Sequence, residues 1–523
     1  MVTDVFEQKR LRGTVSAGAI AIFVTATFLF IIIMVISAVP IQVDEAIQYH
    51  PIACEFYENA KYHTFWNPCD GSRNLDLFGI QFKRAYDYIG GFSSYLYYPF
   101  FRLSPGILTQ RIIGILFLFV FVGMLMLLED RNRLSVLILF GLSFPLIYQL
   151  VNDTGPVRYS MCMLPIAPWL VRCVIRTRQL YKKAVLNVIL GFLLFLGLED
   201  KPFFLYLVPS VLILIIAYNY DDKQGAMGSI KFVISQILVA LTVFGALTYL
   251  YLVVAKTPSG GNYLSELTGA VRPYELTEVA KNILSFMTNF EKFSSMVYSS
   301  RKFRPLNIGL SLSVWMLGLV LVAKVYKMRI NSLPAKTVLT MLAFVVSILI
   351  LLLTRNAVNG HHFIFPYAIA LLVVCQCALS GIQGRFAFFL LYVFFSVILS
   401  SQLPFLTPNT WSSWERYKVF DFLKQEEIAK DYIIAHLSFG TYYVASLYGE
   451  KEQLSLQIRT LDNQTVTKII GLSDTLKRKI LCVCNGPDCN SKTLSDRFLS
   501  RIKFKEVNLP TKDWKVYLEM GRV

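Results

Sequence analysis

Long apolar runs separated by short charged turns are the dominant pattern of the chain. A run of about 17 or more apolar residues is long enough to cross a bilayer as an α-helix. The pattern therefore predicts about eleven membrane-spanning helices, of which the fourth and fifth are shorter than that guideline. The predicted spans are 14–40, 112–128, 134–151, 161–175, 184–198, 203–219, 232–255, 309–326, 337–354, 363–381 and 386–402.

Composition places the chain among polytopic membrane proteins. Of its 523 residues, 55% are hydrophobic, and the mean hydropathy is +0.52. No soluble domain of this size could bury so much apolar surface. The first span is too long for a signal peptide and has no small-residue cleavage site, so we predict that it is retained. The sequence contains no Walker loop, dinucleotide fingerprint or HExxH motif, which argues against ATP hydrolysis and zinc proteolysis.

Lysine and arginine residues predict the orientation of the helices. If the N-terminus is cytoplasmic, the short cytoplasmic loops and helix ends hold most of these residues. The matching short outer loops then hold only Arg158, Lys201 and Arg355. This asymmetry follows the positive-inside rule and, with an odd number of spans, places the C-terminus outside the cytoplasm. The net charge of +17 then follows largely from topology, and no nucleic-acid partner is needed to explain it.

The predicted spans divide the chain into two domains. Residues 1–402 form a membrane domain with outer loops over 41–111 and 256–308, and residues 403–523 form an extracytoplasmic α/β domain. In the second loop, apolar residues recur at helical spacing and predict an amphipathic helix on the membrane surface over 276–297. The fold class expected is thus a polytopic α-helical membrane protein with a small outer α/β domain.

The C-terminal domain alternates short apolar segments with polar ones. Segments rich in β-branched residues predict strands over 431–436 and 479–484, with further short strands near 503–508 and 514–519. Helices are predicted over 441–448 and 491–501.

Cysteines on the predicted outer side could form disulfides, because an oxidising compartment permits them. Cys54 and Cys69 share the first outer loop and could pair. In the C-terminal domain, Cys489 could pair with Cys482 or Cys484, because the spacing of these three matches no common zinc pattern.

Two adjacent acids, Asp44 and Glu45, follow the first span within five residues. Carboxylates at a membrane surface can remove a proton or bind a cation beside a lipid-borne substrate. The alternative is that they are solvated residues at a helix end. Further ionisable groups at the predicted outer helix ends favour chemistry, because such groups near membrane depth are costly and usually functional.

The polar residues at the predicted outer helix ends could line one cavity. An acid can act as general base on an acceptor hydroxyl, and arginine or lysine can stabilise the charge on a departing phosphate. The combination suggests transfer of a group from a lipid phosphate, although each residue alone could be an interfacial side chain that reaches toward water. The set comprises His50, Arg102, Arg111, Asn152, Asp153, Arg158, Glu199, Asp200, Lys201, Arg355, His361 and His362.

Five short motifs follow one another along the predicted outer side. They are Asp44-Glu45, Ser94-Tyr-Leu-Tyr-Tyr-Pro99, Arg111-Ile-Ile-Gly114, Leu198-Glu-Asp-Lys-Pro202 and His361-His-Phe-Ile-Phe-Pro366. Their order resembles that of GT-C glycosyltransferases, a class that includes protein O-mannosyltransferases and lipid A aminoarabinose transferases. Those enzymes have one or two acids after the first span, a Pro-Pro-Leu-Tyr-Tyr-like stretch, an arginine at the start of the second span and a Leu-x-x-Lys-Gly/Pro turn. The prolines are displaced here, and histidine stands where the class more often has Arg-Tyr.

The resemblance implies transfer of a sugar, with inversion, from a polyprenyl-phosphate donor to a glycan, lipid or protein acceptor on the outer face. Asp44 would act as general base, and Glu45 would orient it, bind a cation or contact the acceptor. No cofactor is implied with certainty, and a divalent cation could take part. The donor phosphate would be held by Arg111, Lys201, Arg158 and His362, and the substrate cavity would be lined by His50, Tyr97, Tyr98 and Asp153.

Two other classes of membrane protein would present a similar cationic cavity to a lipid phosphate. One is a transporter or flippase of lipid-linked glycans, which performs no chemistry. The other is an O-antigen-type polymerase or ligase. The position of Asp44-Glu45 and the folded outer domain favour the transferase.

Overall fold

The computed structural model describes a large part of the chain. The described residues are 25–33, 35–36, 75–82, 84–86, 89–103, 107–129, 133–152, 157–221, 225–257, 260–264, 277, 334–353, 364–377, 419, 422–423, 425–437, 454–458, 461–485, 489–498, 500–509 and 514–522.

The described membrane domain is mainly helical. Its helices pack in neighbouring pairs, with α3 on α5 and α6, α7 on α6 and α9, and α8 on α10. The helices are α1 (25–33 and 35–36), α2 (Phe92–Leu103), α3 (Ile107–Leu128), α4 (Arg133–Gly141), α5 (Phe144–Asn152), α6 (Arg158–Arg176), α7 (Leu180–Asp200), α8 (Phe204–Tyr218), α9 (Gly225–Tyr249, extended by a π-helical turn over Leu250–Val254), α10 (Ala335–Leu353) and α11 (Ile364–Cys377).

Three helical segments of the described chain are long and apolar enough to cross a membrane, namely Leu108–Leu128, Leu180–Asp200 and Met227–Val254. They match the predicted spans 112–128, 184–198 and 232–255. The described parts of α8, α10 and α11 are also apolar but are shorter than these three. The prediction of about eleven spans is therefore supported only in part, and the predicted spans 309–326 and 386–402 lie outside the described residues.

The run predicted as a single span over 134–151 is broken in the middle. Its two halves, Ser135–Gly141 and Leu146–Asn152, are bent by 60° to each other, and together they would make a fourth span. Pro145 stands in the first turn of α5, where its missing N–H group is tolerated. A proline does not fit inside a continuous helix, so α4 cannot run straight on into α5. A hydropathy pattern alone does not show this bend.

Two short hairpins occupy the first loop. Strand β1 (Leu75–Leu77) pairs with β2 (Ile80–Phe82), and β3 (Arg84–Tyr86) pairs with β4 (Ile89–Gly90), both antiparallel. Asp76 and Lys256 exchange two backbone hydrogen bonds of 2.8 Å, which join the first hairpin to the segment after α9. Neither hairpin was predicted. In the turn of the first one, Phe78 takes a positive φ, a conformation that its residue type does not signal.

The C-terminal domain contains a five-stranded sheet in the order β6-β5-β7-β9-β8. The neighbours of β5 are parallel to it, whereas β9 is antiparallel to β7 and β8. The elements are α12 (Glu426–Asp431), β5 (Tyr432–His436), β6 (Leu454–Gln457), α13 (Asn463–Leu476), β7 (Lys479–Asn485), α14 (Ser491–Arg497), β8 (Ile502–Glu506) and β9 (Trp514–Arg522).

The sequence predicted four of these five strands but missed β6, α12 and α13. Helix α13 begins after Asp462, whose carboxylate accepts a hydrogen bond from the Thr465 N–H at 2.7 Å and so caps the helix. The predicted disulfide of Cys489 is present and joins it to Cys484. The predicted helix over 441–448 and the possible Cys54–Cys69 pair lie outside the described residues, as does most of the surface helix predicted over 276–297.

Candidate active site

Many of the buried polar side chains predicted at the site lie at one end of the described helices. We call this end, where α3 and α6 begin and α5 and α7 end, the upper end. The opposite end is the lower end. The upper end also carries the two hairpins and the short helix α2. It is the end that the distribution of lysine and arginine predicts to face out of the cytoplasm.

Arg158 is completely buried at the start of α6. Its Nε donates a hydrogen bond to the Leu150 carbonyl at 2.5 Å, and its Nη2 donates to the Val151 carbonyl. These carbonyls belong to the last turn of α5, where the helix dipole favours a cation. The guanidinium carbon also lies 5.8 Å from the centre of the Tyr97 ring, which is itself buried. The fold thus brings together two residues that the sequence predicted at the site.

Arg111 lies one turn inside α3 and is also buried. Its Nη1 donates a hydrogen bond of 2.5 Å to the carbonyl of Ile36, at the end of the described part of α1. On the same helix, Gly114 allows close contact with α5, because a Cβ at this position would lie 2.6 Å from the Leu150 carbonyl oxygen. The two buried arginines therefore belong to the same helix junction, since Leu150 is also the partner of Arg158.

The Glu199-Asp200-Lys201 turn forms the second part of the upper end, and all three residues are buried. The Glu199 carboxylate accepts hydrogen bonds from the backbone N–H groups of Gly91 and Phe92, both at 2.9 Å. These groups open α2, so the carboxylate compensates the positive end of that helix. Helix α2 consequently connects the lysine turn to the arginine junction, because Tyr97 lies further along it.

Several contacts hold this turn in place. Ser93 donates a hydrogen bond to the Asp200 carboxylate. A glycine is required at position 90, because a Cβ there would lie 1.8 Å from the Glu199 carbonyl oxygen. The Phe92 ring packs edge-on against Tyr159, with centroids 4.9 Å apart.

Aromatic rings surround the same region from the side of α9. Tyr251 and Tyr263 are buried, and their rings meet edge-to-face at 5.3 Å between centroids. The Arg84 guanidinium lies 4.7 Å from the centre of the Tyr263 ring. Cation–π contacts of this type are strongest where the cation is shielded from water, as Arg84 is here.

Some of the predicted site residues belong to the described part of the structure and others do not. Arg111, Arg158 and Tyr97 share one junction, Lys201 lies in the neighbouring turn, and Tyr98 is half-buried on α2. The predicted residues Asp44, Glu45, His50, Asp153 and His362 lie outside the described residues. In the described part of the chain, no group of three or more His, Cys, Asp or Glu side chains could hold a metal ion.

Sequence reasoning assigned no role to several residues that the fold places here. Glu199 and Asp200 were grouped with the polar residues that could line one cavity, but their contact with α2, which spans about a hundred positions of sequence, was not predicted. Arg84 and Gln110 had no distinguishing signal. A glutamine or arginine beside an apolar run is ordinary at a helix end, and only its burial makes it noteworthy.

The lower end holds a different polar cluster. Glu129, at the end of α3, is buried and accepts hydrogen bonds from the Tyr218 hydroxyl at 2.6 Å and the Gln376 Nε2 at 2.8 Å. Its carboxylate also lies 2.9 Å from the Lys336 Nζ. These contacts join α3, α8, α10 and α11, so the two ends of the bundle have separate polar networks.

Solved structures with the same fold are known. The chain aligns with ArnT from Cupriavidus metallidurans in the apo state with a TM-score of 0.55 and 11% sequence identity, over 96% of this chain and 98% of ArnT. The structure of the same protein bound to undecaprenyl phosphate aligns with the same values. No protein-family model and no curated protein sequence matches the chain. The chain therefore has an ArnT-like fold, with the apolar helices of an integral membrane protein.

Proposed function

We propose that the protein is a GT-C-type glycosyltransferase that takes a sugar from a polyprenyl-phosphate carrier. The observation that carries this proposal is the alignment of almost the whole chain with ArnT, a protein with a structure bound to undecaprenyl phosphate. The order of the sequence motifs supports the same class. Buried Arg111, Arg158 and Lys201 at the upper end provide the cations that a lipid phosphate requires.

In the proposed reaction, an acceptor hydroxyl oxygen attacks the anomeric carbon of the donor sugar. The bond between this carbon and the phosphate oxygen breaks, and its electron pair leaves with the polyprenyl phosphate. Asp44 takes the proton of the acceptor hydroxyl, and attack opposite the leaving group inverts the anomeric centre. Arg111 and Lys201 stabilise the phosphate as its negative charge increases.

Charge removal at the upper end tests whether these residues hold the carrier. We expect Lys201→Ala and Arg111→Ala to weaken the binding of undecaprenyl phosphate by about 10- to 100-fold, since a charge-assisted hydrogen bond is worth about 1.5–3 kcal/mol. Arg176→Ala is the matched control, because Arg176 is exposed at the lower end of α6. Equal affinity in all three variants would rule out the assigned phosphate site.

A release assay with the purified protein distinguishes transfer from transport. The protein is given undecaprenyl-phosphate sugars and an acceptor mixture from membranes, and the release of free undecaprenyl phosphate is measured. In Asp44→Asn this release should fall by about 100-fold or more, while carrier binding is retained. Carrier binding by the wild-type protein without any such release would favour a transporter instead.

A further inference from the structure

Three polar side chains at the upper end are buried without hydrogen-bond partners. Neither the oxygen nor the nitrogen of the Gln110 amide has one, and the same is true of the Asn152 amide. The Ser160 hydroxyl has none either. Gln110 and Asn152 are completely buried, and Ser160 is 2% exposed. In the described part of the chain, Gln110 and Asn152 are the only buried side-chain amides with both polar atoms unpaired.

The three residues belong to one layer of the helix junction. Gln110 lies one turn before Gly114 on α3, and Gly114 is in contact with Leu150 on α5. Asn152 ends α5 two residues after Leu150. Since α3 and α5 run in opposite directions, both amides lie on the upper side of this contact.

The third residue, Ser160, lies at a similar depth on another face of α6. Arg158 binds the carbonyls of the last turn of α5, and Ser160 is two residues further along α6. Arg111 follows Gln110 directly on α3. Each unpaired group therefore lies in a helix turn that also holds a buried arginine or a carbonyl bound by Arg158.

Leaving these groups unpaired is costly. A buried donor or acceptor without a partner costs about 1–3 kcal/mol, and the two amides and the hydroxyl contribute five such atoms. A protein keeps such groups where a ligand or ordered water satisfies them, or where they serve a function. The layer therefore has the features of a binding site and not of an apolar core.

We infer that Gln110 and Asn152 bind the sugar head of the lipid-linked donor, at the same depth as the arginines that hold its phosphate. This inference rests on the proposed function. An amide presents a donor and an acceptor, and a sugar hydroxyl likewise donates and accepts, so the two can satisfy each other. A phosphate could pair with the amide nitrogens but would leave the amide oxygens unpaired, because it offers acceptors in its ionised form.

The experiment compares lipids with and without a sugar. We would measure the affinity of the purified full-length protein for undecaprenyl phosphate and for undecaprenyl phosphates that carry glucose, mannose or aminoarabinose. The variants are Gln110→Met and Asn152→Leu, which keep the approximate volume but remove the polar atoms. Asn187→Leu is the matched control, because Asn187 is a buried amide that donates to the Lys183 carbonyl at 3.0 Å, away from the upper end.

We expect Gln110→Met and Asn152→Leu to weaken binding of the preferred sugar-bearing lipid by about 10-fold or more, since a site built to bind a hydroxyl loses its contacts. Affinity for bare undecaprenyl phosphate should stay within about twofold, and the Tm should be unchanged or higher, because an unpaired buried polar group is removed. The Asn187→Leu variant should keep the affinity for both lipids.

The outcomes separate this inference from the proposed function. Equal loss of affinity for both kinds of lipid would overturn the sugar site. Wild-type affinity in both variants would also overturn it and would indicate that ordered water fills the layer. A wild-type protein that binds the bare carrier but none of the sugar-bearing forms would also overturn it. If the wild-type protein binds none of these lipids, the proposed function itself is wrong.

Discussion

At the scale of single residues, buried ionisable side chains differ between the two domains. In the membrane domain, the Arg158 guanidinium donates to two carbonyl groups at a helix end. His436, at the end of β5 in the C-terminal domain, is equally buried. Burial lowers the pKa of His436 to about 3, so its imidazole is neutral at physiological pH.

The His436 environment predicts a pH dependence of the C-terminal domain. In the unfolded chain this histidine has a pKa near 6.5, so the unfolded state binds more protons between about pH 6.5 and 3. The free energy of unfolding should therefore fall as the pH falls through that window, by up to about 1.4 kcal/mol per pH unit. Hydrogen exchange of the β5 and β7 amides in the full chain between pH 4 and 7 measures this.

His436→Leu is the variant that isolates this effect, because it cannot be protonated. We expect its β5 and β7 protection to depend less on pH than that of the wild-type protein. Glu519 provides an internal contrast, since burial raises the pKa of its carboxyl and its contribution to stability is lost as the pH rises. An unchanged pH dependence in His436→Leu would contradict the prediction.

At the scale of elements, helix α2 is positioned by a residue far from it in sequence. The Glu199 carboxylate accepts hydrogen bonds from the Gly91 and Phe92 N–H groups where the helix begins, and Ser93 in its first turn donates to Asp200. The far side of α2 carries exposed apolar residues, including Phe100 at 44% and Leu103 at 86%. The helix is therefore attached to the end of α7 at its start and presents an apolar face outward, as amphipathic helices at membrane surfaces do.

Glu199→Gln tests this attachment. Glutamine keeps one acceptor oxygen but turns an NH₂ group toward the other backbone N–H, so one charge-assisted hydrogen bond is lost. Since that bond is worth about 1.5–3 kcal/mol, we expect the Gly91 or Phe92 amide to exchange about 10-fold faster or more. Glu129→Gln, which alters a similarly buried acid at the lower end, should leave exchange at Gly91 and Phe92 unchanged. Slow exchange in Glu199→Gln would show that other contacts hold α2.

At the scale of the whole molecule, orientation decides which compartment the site faces. The distribution of lysine and arginine predicts a cytoplasmic N-terminus and an outer C-terminal domain. The Cys484–Cys489 disulfide is consistent with this, because disulfides persist in oxidising compartments. The upper end of the bundle would then face the same compartment as the C-terminal domain.

Cysteine labelling in intact cells checks the orientation. In a background without other free cysteines, Lys430→Cys in the C-terminal domain should react with a membrane-impermeant maleimide, and Leu180→Cys should not. Both positions are exposed on the protein, so both should react after permeabilisation. Labelling of Leu180→Cys alone in intact cells would reverse the orientation and place the candidate site on the cytoplasmic side.

The sequence by itself predicted the elements whose signal is local. The apolar runs indicated α3, α6, α7 and α9, and the β-branched segments indicated β5 and β7. Cysteine spacing and the predicted compartment narrowed the disulfide of Cys489 to two choices. The predictions of helices and strands are correct because they rest on the length and periodicity of apolar runs. These are properties of consecutive residues, and a helix or strand needs them in order to bury one face.

Only the tertiary structure decided which polar residues meet. The attachment of α2 to Glu199 and the junction of Arg158 with α5 and Tyr97 depend on the angles and depths at which helices pack. The 60° break in the predicted span 134–151 sets the direction of α5 in space, and therefore the position of Asn152, its last residue. In the sequence, Gln110 looks like an ordinary helix-end residue, and Asn152 is one of many polar residues at the predicted outer helix ends. They are buried without hydrogen-bond partners, which suggests a sugar site, because the start of α3 packs against the end of α5 beside the start of α6.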